Sequence, residues 1–268
     1  MNIEQTELLN AETEYFRFKE VVPGTPDYEL YLEFRYEVFC KELHRIDMSS
    51  CLLSRNGRPM ETDRYVQYSR HIMAYHKSTG SPAAAARVIL PSPVGLNVTP
   101  RYLIDHPLPY SDACDDNIGE ISRMAISPQF RRRHEDQGKP TEGDPGPEMV
   151  EQIAGRIGVQ AEKNRRHQPE LVLGMYREIY RLCQQEDIGY CMAAMDDRFS
   201  RLLNTLGFPC VPIGPINENV QPPRRVYIIS AIEMERSLRQ RGTRTLSFLQ
   251  AQSTGAYAAY NNSSSSAL

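Results

Sequence analysis

The sequence has no long apolar run, no paired-cysteine motif and little net charge. No stretch approaches the roughly 18 apolar residues that a membrane helix needs. The N-terminus, Met1-Asn-Ile-Glu-Gln5, is acidic where a signal peptide is basic and then apolar. The six cysteines form no C-x-x-C pair and no zinc-ligand pattern with the six histidines. These absences predict reduced thiols, no metal site, no membrane span and a cytoplasmic location.

Size and charge narrow the class of protein further. The chain has 268 residues, of which 40% are hydrophobic and 24% charged, so it is long enough to bury a substantial core. Its formal net charge is -3 and its pI is about 6.1, which argues against nucleic acid as a partner. We expect a single domain over residues 1–249.

The first half of the chain carries start and turn signals. Thr25 followed by Pro26 is typical of a helix N-terminus, and apolar residues then recur at fours, which predicts an amphipathic helix over 26–43. The segments 69–76 and 83–91 read as strands joined by a turn, which predicts a β-hairpin.

The second half alternates strands with helices. Its predicted elements are a strand at 119–127, a helix at 148–165, a helix beginning at Pro169, a strand at 190–195, a helix at 198–206 closed by Gly207, and a strand at 226–232. Together with the hairpin, this order predicts an α/β fold in which a mixed central sheet is flanked by helices. Residues 134–147 are interrupted by Gly and Pro and predict a flexible insertion, and 250–268 has the composition of a disordered tail.

The segment from Gly119 to Arg133 combines a carboxylate, a strand pattern and a basic turn. Glu120 and Arg123 belong to a strand whose alternation cannot place every polar side chain in solvent, so we expect a charged pair that points inward. Buried charges need partners, and the segments around Arg35 and Arg87 could supply them.

Four motifs occur in an order that resembles a known family. They are Phe34-Arg35-x-x-Val38-Phe39, Glu61-x-Asp63-x-Tyr65 followed by Ser69-x-His71, Ala86-Arg87-Val88-Ile89-Leu90-Pro91, and Gly119-Glu120-x-Ser122-Arg123. Over roughly residues 15–235 the chain resembles the acyl-homoserine-lactone (autoinducer) synthases. It resembles more closely the acyltransferases associated with PEP-CTERM/exosortase systems. Both groups belong to the GNAT-type N-acyltransferase superfamily.

The resemblance implies a GNAT-like fold and transfer of a fatty acyl group from an acyl thioester to a small-molecule amine acceptor. The donor would be acyl-CoA or an acyl-phosphopantetheine carrier, used as a co-substrate without a tightly bound cofactor. Acyl carrier protein is therefore a candidate partner. Direct attack by the amine needs a base, a positioned carbonyl and donors for the oxyanion, but neither a metal nor a nucleophilic cysteine.

The chain departs from the lactone synthases at two positions. It has no tryptophan after the helix motif, and Val66 stands where those enzymes carry a second aspartate, three residues after Asp63. Loss of that carboxylate removes a contact for a cationic acceptor. We therefore expect a different, less charged amine, with homoserine-lactone synthesis as the alternative.

Glu120, Arg123 and Arg35 are the predicted catalytic residues. We expect Glu120 to accept the proton of the amine, with its pKa set by burial and by the charges of Arg123 and Arg35. The alternative is a structural cluster in which these groups only neutralise one another. In the catalytic interpretation the two arginines organise the site.

Four further residues match family positions around the acceptor and acyl cavity. By the resemblance Asp63 is an acceptor contact, whereas by its own sequence it is a turn aspartate. Phe39 and Arg87 are cavity residues by the resemblance, and otherwise a core residue and a strand-end partner. Ser122, in the last motif, is also a substrate-binding candidate.

A donor-phosphate site is predicted where the strand at 119–127 turns into a helix, because helix N-termini and arginines both bind phosphate. The residues assigned to it are Ile126, Ser127, Phe130, Arg131, Arg132 and Arg133. The glycine-rich turn of the superfamily is missing, since the first glycine after this strand is Gly138. Side-chain charge is therefore expected to carry donor recognition.

Two non-enzymatic alternatives stay open. If the acceptor site has decayed, the chain is a non-catalytic module that binds acyl carrier or coenzyme A. The arginine clusters also suit nucleotide or nucleic acid, although the acidic pI argues against that class.

Overall fold

The computed structural model describes residues 10–48, 51–131, 167–242 and 244–251. The strands are β1 (Asn10–Glu12), β2 (Phe16–Glu20), β3 (Leu52–Leu53), β4 (Pro59–Met60), β5 (Ser69–His76), β6 (Pro82–Ile89), β7 (Ile118–Ile126), β8 (Tyr190–Met195), β9 (Val211–Pro212) and β10 (Arg225–Ser230). The helices are α1 (Pro26–Arg35), a π-helix (Tyr36–Glu42), a 3-10 turn (Val66–Tyr68), α2 (Pro128–Arg131), α3 (His167–Gln185), α4 (Asp197–Leu206), α5 (Ala231–Gln240) and α6 (Thr245–Gln250). The predicted insertion at 134–147, the predicted helix at 148–165 and the predicted tail beyond residue 251 lie outside the described residues.

The main sheet has eight strands in the order β1-β2-β5-β6-β7-β8-β10-β9, and β3 pairs with β4 in a separate small hairpin. Neighbouring strands of the main sheet are antiparallel, except β7 and β8, which run parallel. The predicted mixed sheet and the predicted hairpin, now β5 and β6, are both confirmed.

The sheet opens between β7 and β8. These strands pair over only three positions, which end at Glu120 opposite Met192. Beyond that point β7 continues along β6 to Ile126, while β8 continues along β10 to Met195. In the described part of the chain, residues 121–126 therefore have no strand partner on the β8 side.

A β-bulge interrupts β7 just past this opening. Between the Arg87–Ser122 pair and the Ala85–Ala125 pair, β7 has one residue more than β6, and Arg123 adopts a left-handed φ of 53°. The extra residue resets the side-chain alternation. As a result Ser122 and Arg123 both point away from α3, whereas the strict alternation assumed from the sequence would put them on opposite faces.

Helices cover both faces of the sheet. On one face α1 begins as predicted, because the hydroxyl of Thr25 accepts a hydrogen bond from the backbone N–H of Tyr28 and Pro26 occupies the first turn. Regular α-helix ends at Arg35, and the rest of the predicted 26–43 helix is π-helix.

On the opposite face α3 lies close to the sheet. Gly174 makes this approach feasible, since a Cβ there would lie 2.0 Å from Cζ of Phe18. No helix in the described ranges has the length and apolar character needed to cross a membrane.

Some elements differ from the sequence predictions. The strand predicted at 226–232 ends at Ser230, whose hydroxyl accepts a hydrogen bond from Glu233 N and so caps α5. The strands β1 and β2 and the helices α5 and α6 were not predicted. β2 alternates phenylalanine with arginine and lysine, as an edge-side strand with one wet face does, and its five residues gave too short a pattern to stand out. The predicted cap at Gly207 is confirmed, with φ of 93°.

Candidate active site

Three arginines and two carboxylates form a buried group on the α1 face of β6 and β7. This arginine–carboxylate cluster consists of Arg35, Glu61, Asp63, Arg87 and Arg123. The last residue of α1, the middle of β6 and the bulge of β7 supply the arginines, and the segment after β4 supplies both acids. The sequence is folded so that residues from four separate motifs meet here.

Glu61 lies at the centre of the cluster. Its Oε2 accepts from Arg35 Nε at 2.5 Å and its Oε1 accepts from Arg123 Nη2 at 3.1 Å. Burial raises the pKa of Glu61, but the two guanidinium groups lower it by more, so the pKa lies below its usual range. No role was predicted for Glu61 from the sequence, although it stands in the same motif as Asp63, two residues before it.

Asp63 pairs with an arginine and also closes a turn, as its own sequence indicated, while its contact with the acceptor stays a prediction. Its two oxygens accept from Arg87 Nη1 and Nη2, each at 2.7 Å, and Oδ1 also accepts from the backbone N–H of Tyr65 at 3.0 Å. Burial raises the pKa of Asp63, yet the bonds and charge of Arg87 hold it well below its usual range. Arg87 also donates from Nε to the hydroxyl of Ser122 at 2.8 Å.

The arginines are also held by aromatic rings. Arg35 is fully buried and lies 5.4 Å from the ring centroid of Tyr31, and Arg123 lies 5.5 Å from the ring centroid of Phe39. Phe39 is nearly buried, so it packs in the core and contacts a cluster arginine at once.

Glu120 stands outside this cluster. Its Oε1 accepts from Asn97 Nδ2 at 3.1 Å and its Oε2 accepts from the backbone N–H of Val98 at 2.9 Å. No ion pair to Glu120 occurs among the described residues. The predicted pairing of Glu120 with Arg123 and Arg35 is therefore wrong, because Glu61 and Asp63 occupy both arginines.

Burial raises the pKa of Glu120 above its usual value. The hydrogen bonds from Val98 and Asn97 and the more distant charge of Arg87 oppose this rise without cancelling it. The predicted role of burial in setting this pKa thus agrees with the structure, whereas the expected arginine partners do not. Asn97, like Glu61, was not assigned from the sequence, because it lies in a long connection without a recognisable motif.

A cavity of about 630 Å³ occupies the opening between β7 and β8. Glu120, Ser122, Arg123 and Phe39 line it, together with Asn97. Arg35, Asp63 and Arg87 do not line it. They lie behind its wall, where they bond to residues of the cluster and to Ser122. Its apolar side is formed by residues of α3, α4, α5 and their surroundings, among them Tyr176, Ile179, Tyr180, Leu203, Phe208 and Met234.

The residues predicted for the donor phosphates are only partly brought together. Ile126 is fully buried in the core, Ser127 donates its backbone N–H to Ala83 O at 2.8 Å, and the ring of Phe130 packs edge-on against Phe16. Arg131 ends α2, and Arg132 and Arg133 lie outside the described residues.

A second cavity of about 690 Å³ touches Ser127. Its charged lining consists of Glu33, Glu37, Glu42, Lys41 and Arg58. Carboxylates outnumber cations there, which does not favour a phosphate on that side. The phosphate site stays a prediction.

Val66 occupies the place of the second aspartate of the lactone synthases. Its side chain packs against the apolar residues of α1, and its carbonyl oxygen lies 3.0 Å from Nε2 of His71. Burial and the charge of Arg35 lower the pKa of His71 to about 3.

Within the described ranges, no group of three or more His, Cys, Asp or Glu side chains could hold a metal ion.

One known protein family matches the part of the chain that contains this site. Residues 34–138 match the family described as acetyltransferase (GNAT) domain, a segment that includes all five cluster residues and Glu120. No curated protein matches the chain.

Solved structures of similar fold include TofI in a ternary complex with an inhibitor and MTA, the AHL synthase LasI, and FeeM, an N-acyl amino acid synthase from uncultured soil microbes. TofI is 15% identical, with a TM-score of 0.48, over 84% of this chain and 96% of its own. LasI is 16% identical, with a TM-score of 0.48, over 80% and 88%. FeeM is 9% identical, with a TM-score of 0.49, over 84% and 96%.

At these TM-scores the three likenesses do not bear on substrate or mechanism. The class of protein is indicated by the match to the GNAT domain and by the mixed sheet that opens beside Glu120. They support an N-acyltransferase of the GNAT type.

Proposed function

We propose that this protein transfers a fatty acyl group from an acyl thioester to an amine by direct attack, with Glu120 as the base. One observation carries the proposal. Glu120 is buried at the wall of the cavity, where β7 and β8 separate, and the described residues that donate hydrogen bonds to it, Asn97 and Val98, do so through neutral groups. A carboxylate with a raised pKa and no guanidinium partner accepts a proton more readily than one in an ion pair.

The opening of the sheet is the place for the donor. The free edge of β7 over residues 121–126 presents backbone N–H and C=O groups, which suit the amide-bearing arm shared by coenzyme A and acyl carrier protein. The thioester would then lie between the strands, and its acyl chain would extend into the apolar side of the cavity. Acyl-CoA and acyl carrier protein both satisfy this arrangement.

The chemistry balances without a further reactant. The amine nitrogen forms a bond to the thioester carbon, the carbon–sulfur bond breaks, and the thiol leaves with the electron pair of that bond. Glu120 takes one proton from the amine and returns it to the leaving thiolate. Backbone N–H groups on the open edge of β7 are available donors for the oxyanion.

The arginine–carboxylate cluster supports this site from behind. Arg123 and Ser122 line the cavity, while Glu61, Asp63 and Arg87 fix their positions. In this proposal the cluster organises the site, which is the role expected of Arg35 and Arg123. The association with PEP-CTERM/exosortase systems rests on motif resemblance alone, and the cytoplasmic location rests on sequence composition alone.

Thiol release tests the proposal. Purified protein is given octanoyl-CoA with a panel of amino acids and simple amines, and free thiol and N-acylated product are measured. Glu120→Gln is expected to lower kcat/KM by 10²-fold or more, as loss of a general base does, while the exposed control Glu14→Gln keeps the wild-type rate. Full activity of Glu120→Gln would reject the base. Donor binding with no thiol release from any amine, with octanoyl-CoA or the octanoyl carrier, would instead identify a binding module.

A further inference from the structure

The side-chain amide of Asn97 forms a hydrogen bond through Nδ2 but, among the described residues, none through Oδ1. Nδ2 donates to Glu120, and the residue lines the same cavity. Oδ1 is buried and accepts no hydrogen bond from the described residues. A buried acceptor without a hydrogen bond destabilises the fold, so this oxygen requires an explanation.

The orientation of this amide is fixed by its neighbour. Only the NH₂ group can face the carboxylate of Glu120, because the amide oxygen in that place would repel it. Val98, next in the chain, donates its backbone N–H to the other oxygen of Glu120 and is itself buried. Oδ1 is therefore held beside the base and cannot exchange places with Nδ2.

We infer that Asn97 Oδ1 is the second hydrogen-bond acceptor for the attacking nitrogen, and that this residue makes the enzyme prefer primary to secondary amines. The inference rests on the proposed function. A neutral primary amine has two N–H groups and one lone pair. Glu120 receives the first N–H and removes its proton, Oδ1 receives the second, and the lone pair attacks the thioester carbon. The second hydrogen remains on nitrogen in the amide product.

A secondary amine cannot complete this arrangement. Its single N–H goes to Glu120, and Oδ1 of Asn97 stays unpaired. Sites that hydrogen-bond a substrate N–H discriminate against analogues that lack it, because their own polar group is then left without a partner.

The test compares matched amines. With octanoyl-CoA as donor, kcat/KM is measured for alanine against N-methylalanine and for ethanolamine against N-methylethanolamine. The wild type is expected to favour the primary amine of the faster pair by about 10-fold or more, the size of one lost buried hydrogen bond. Asn97→Leu, which is similar in size, is expected to bring this ratio close to one. Asn97→Ala serves as a second variant should the leucine disturb folding.

The ratio separates hydrogen bonding from shape and from stability. Asn117→Leu makes the same substitution in the same β6–β7 connection, away from Glu120, and should keep the wild-type ratio. A wild type that uses both amines equally, or Asn97 variants that keep the full preference, would overturn the inference while leaving the acyltransferase intact. No thiol release from the wild type with any amine would reject the proposed function, and the inference with it.

Discussion

Glu61 and Glu120 are both almost fully buried, yet their surroundings differ in kind. Glu61 lies between two guanidinium groups, and the pKa of its carboxyl is lowered. Glu120 receives hydrogen bonds from an amide and a backbone N–H, and its pKa is raised. Both regions adjoin β7 and both acids are buried, so burial alone does not decide what a carboxyl group does. The partners of the carboxyl group decide this. Charged partners hold it ionised in a structural role, whereas neutral partners leave it able to accept a proton.

The largest effect is expected from Glu61→Gln. Loss of this charge leaves three arginines with Asp63 alone, and breaking a buried ion pair typically costs about 3–5 kcal/mol. Glu120→Gln removes a buried charge that has no ionic partner among the described residues, so its stability should stay at or above that of the wild type. Urea unfolding at pH 7.5 measures both. Equal losses in the two variants would remove the contrast between the regions.

Glu170 extends the comparison to a third buried acid, away from the cavity. It accepts from the backbone N–H of Tyr15 at 2.8 Å, and burial raises its pKa from 4.5 to about 7. Between these values the folded state binds more protons than the unfolded state, so stability should fall as pH rises from about 4.5 to about 7 and then level off.

At about 1.36 kcal/mol per pH unit, the loss is on the order of 3 kcal/mol. Urea unfolding between pH 5 and pH 8 should show the slope in the wild type and a flatter curve in Glu170→Gln. Parallel curves would mean that burial does not raise the pKa of Glu170 in the folded protein.

Arg123→Lys tests whether the cluster shapes the cavity. Lysine keeps the charge but cannot contact Glu61 and Asp63 at once while it covers the ring of Phe39. Hydrogen bonds between charged groups contribute about 1.5–3 kcal/mol, so kcat/KM for thiol release should fall about 10- to 100-fold. Arg17→Lys, at an exposed ion pair, is the matched control. Near-normal turnover of Arg123→Lys would confine the cluster to a structural role.

The smallest effect is the pH profile of kcat/KM. A base must be deprotonated, so the rate should fall about tenfold per pH unit below the pKa of Glu120, with an inflection above 4.5. Measurements with two amines of different basicity separate the inflection of the enzyme from that of the substrate. An inflection that survives in Glu120→Gln would belong to another group.

Local patterns in the sequence predicted many of the helices and strands and part of the candidate site. The cap at Thr25, the hairpin turn and the spacing of apolar residues reflect interactions between near neighbours, so α1, β5, β6 and α4 could be located. Resemblance then pointed to Arg35, Phe39 and Arg123, of which Phe39 and Arg123 line the cavity and Arg35 lies behind its wall. The pairing of these residues depends on contacts across the fold, which no local pattern encodes.

Two misses show this limit. Glu61 becomes the partner of two arginines only when α1 and β7 meet, and Asn97 reaches Glu120 across 23 positions of chain. The pairing predicted for Glu120 was wrong because Glu61, the acid that holds Arg35 and Arg123, was not assigned from the sequence. The donor-phosphate site and the link to exosortase systems stay predictions.

The bulge in β7 also determines how this strand responds to a change in length. The additional residue shifts the alternation of side chains by one position, so that Glu120 and Arg123, three positions apart, point to the same face of the sheet. Deleting Met124 would let the ladder with β6 run without interruption. It would also rotate Arg123 away from Glu61 and toward α3. Loss of one residue, which the sheet itself could accommodate, would thus place Arg123 on the opposite face from Glu120, the proposed base.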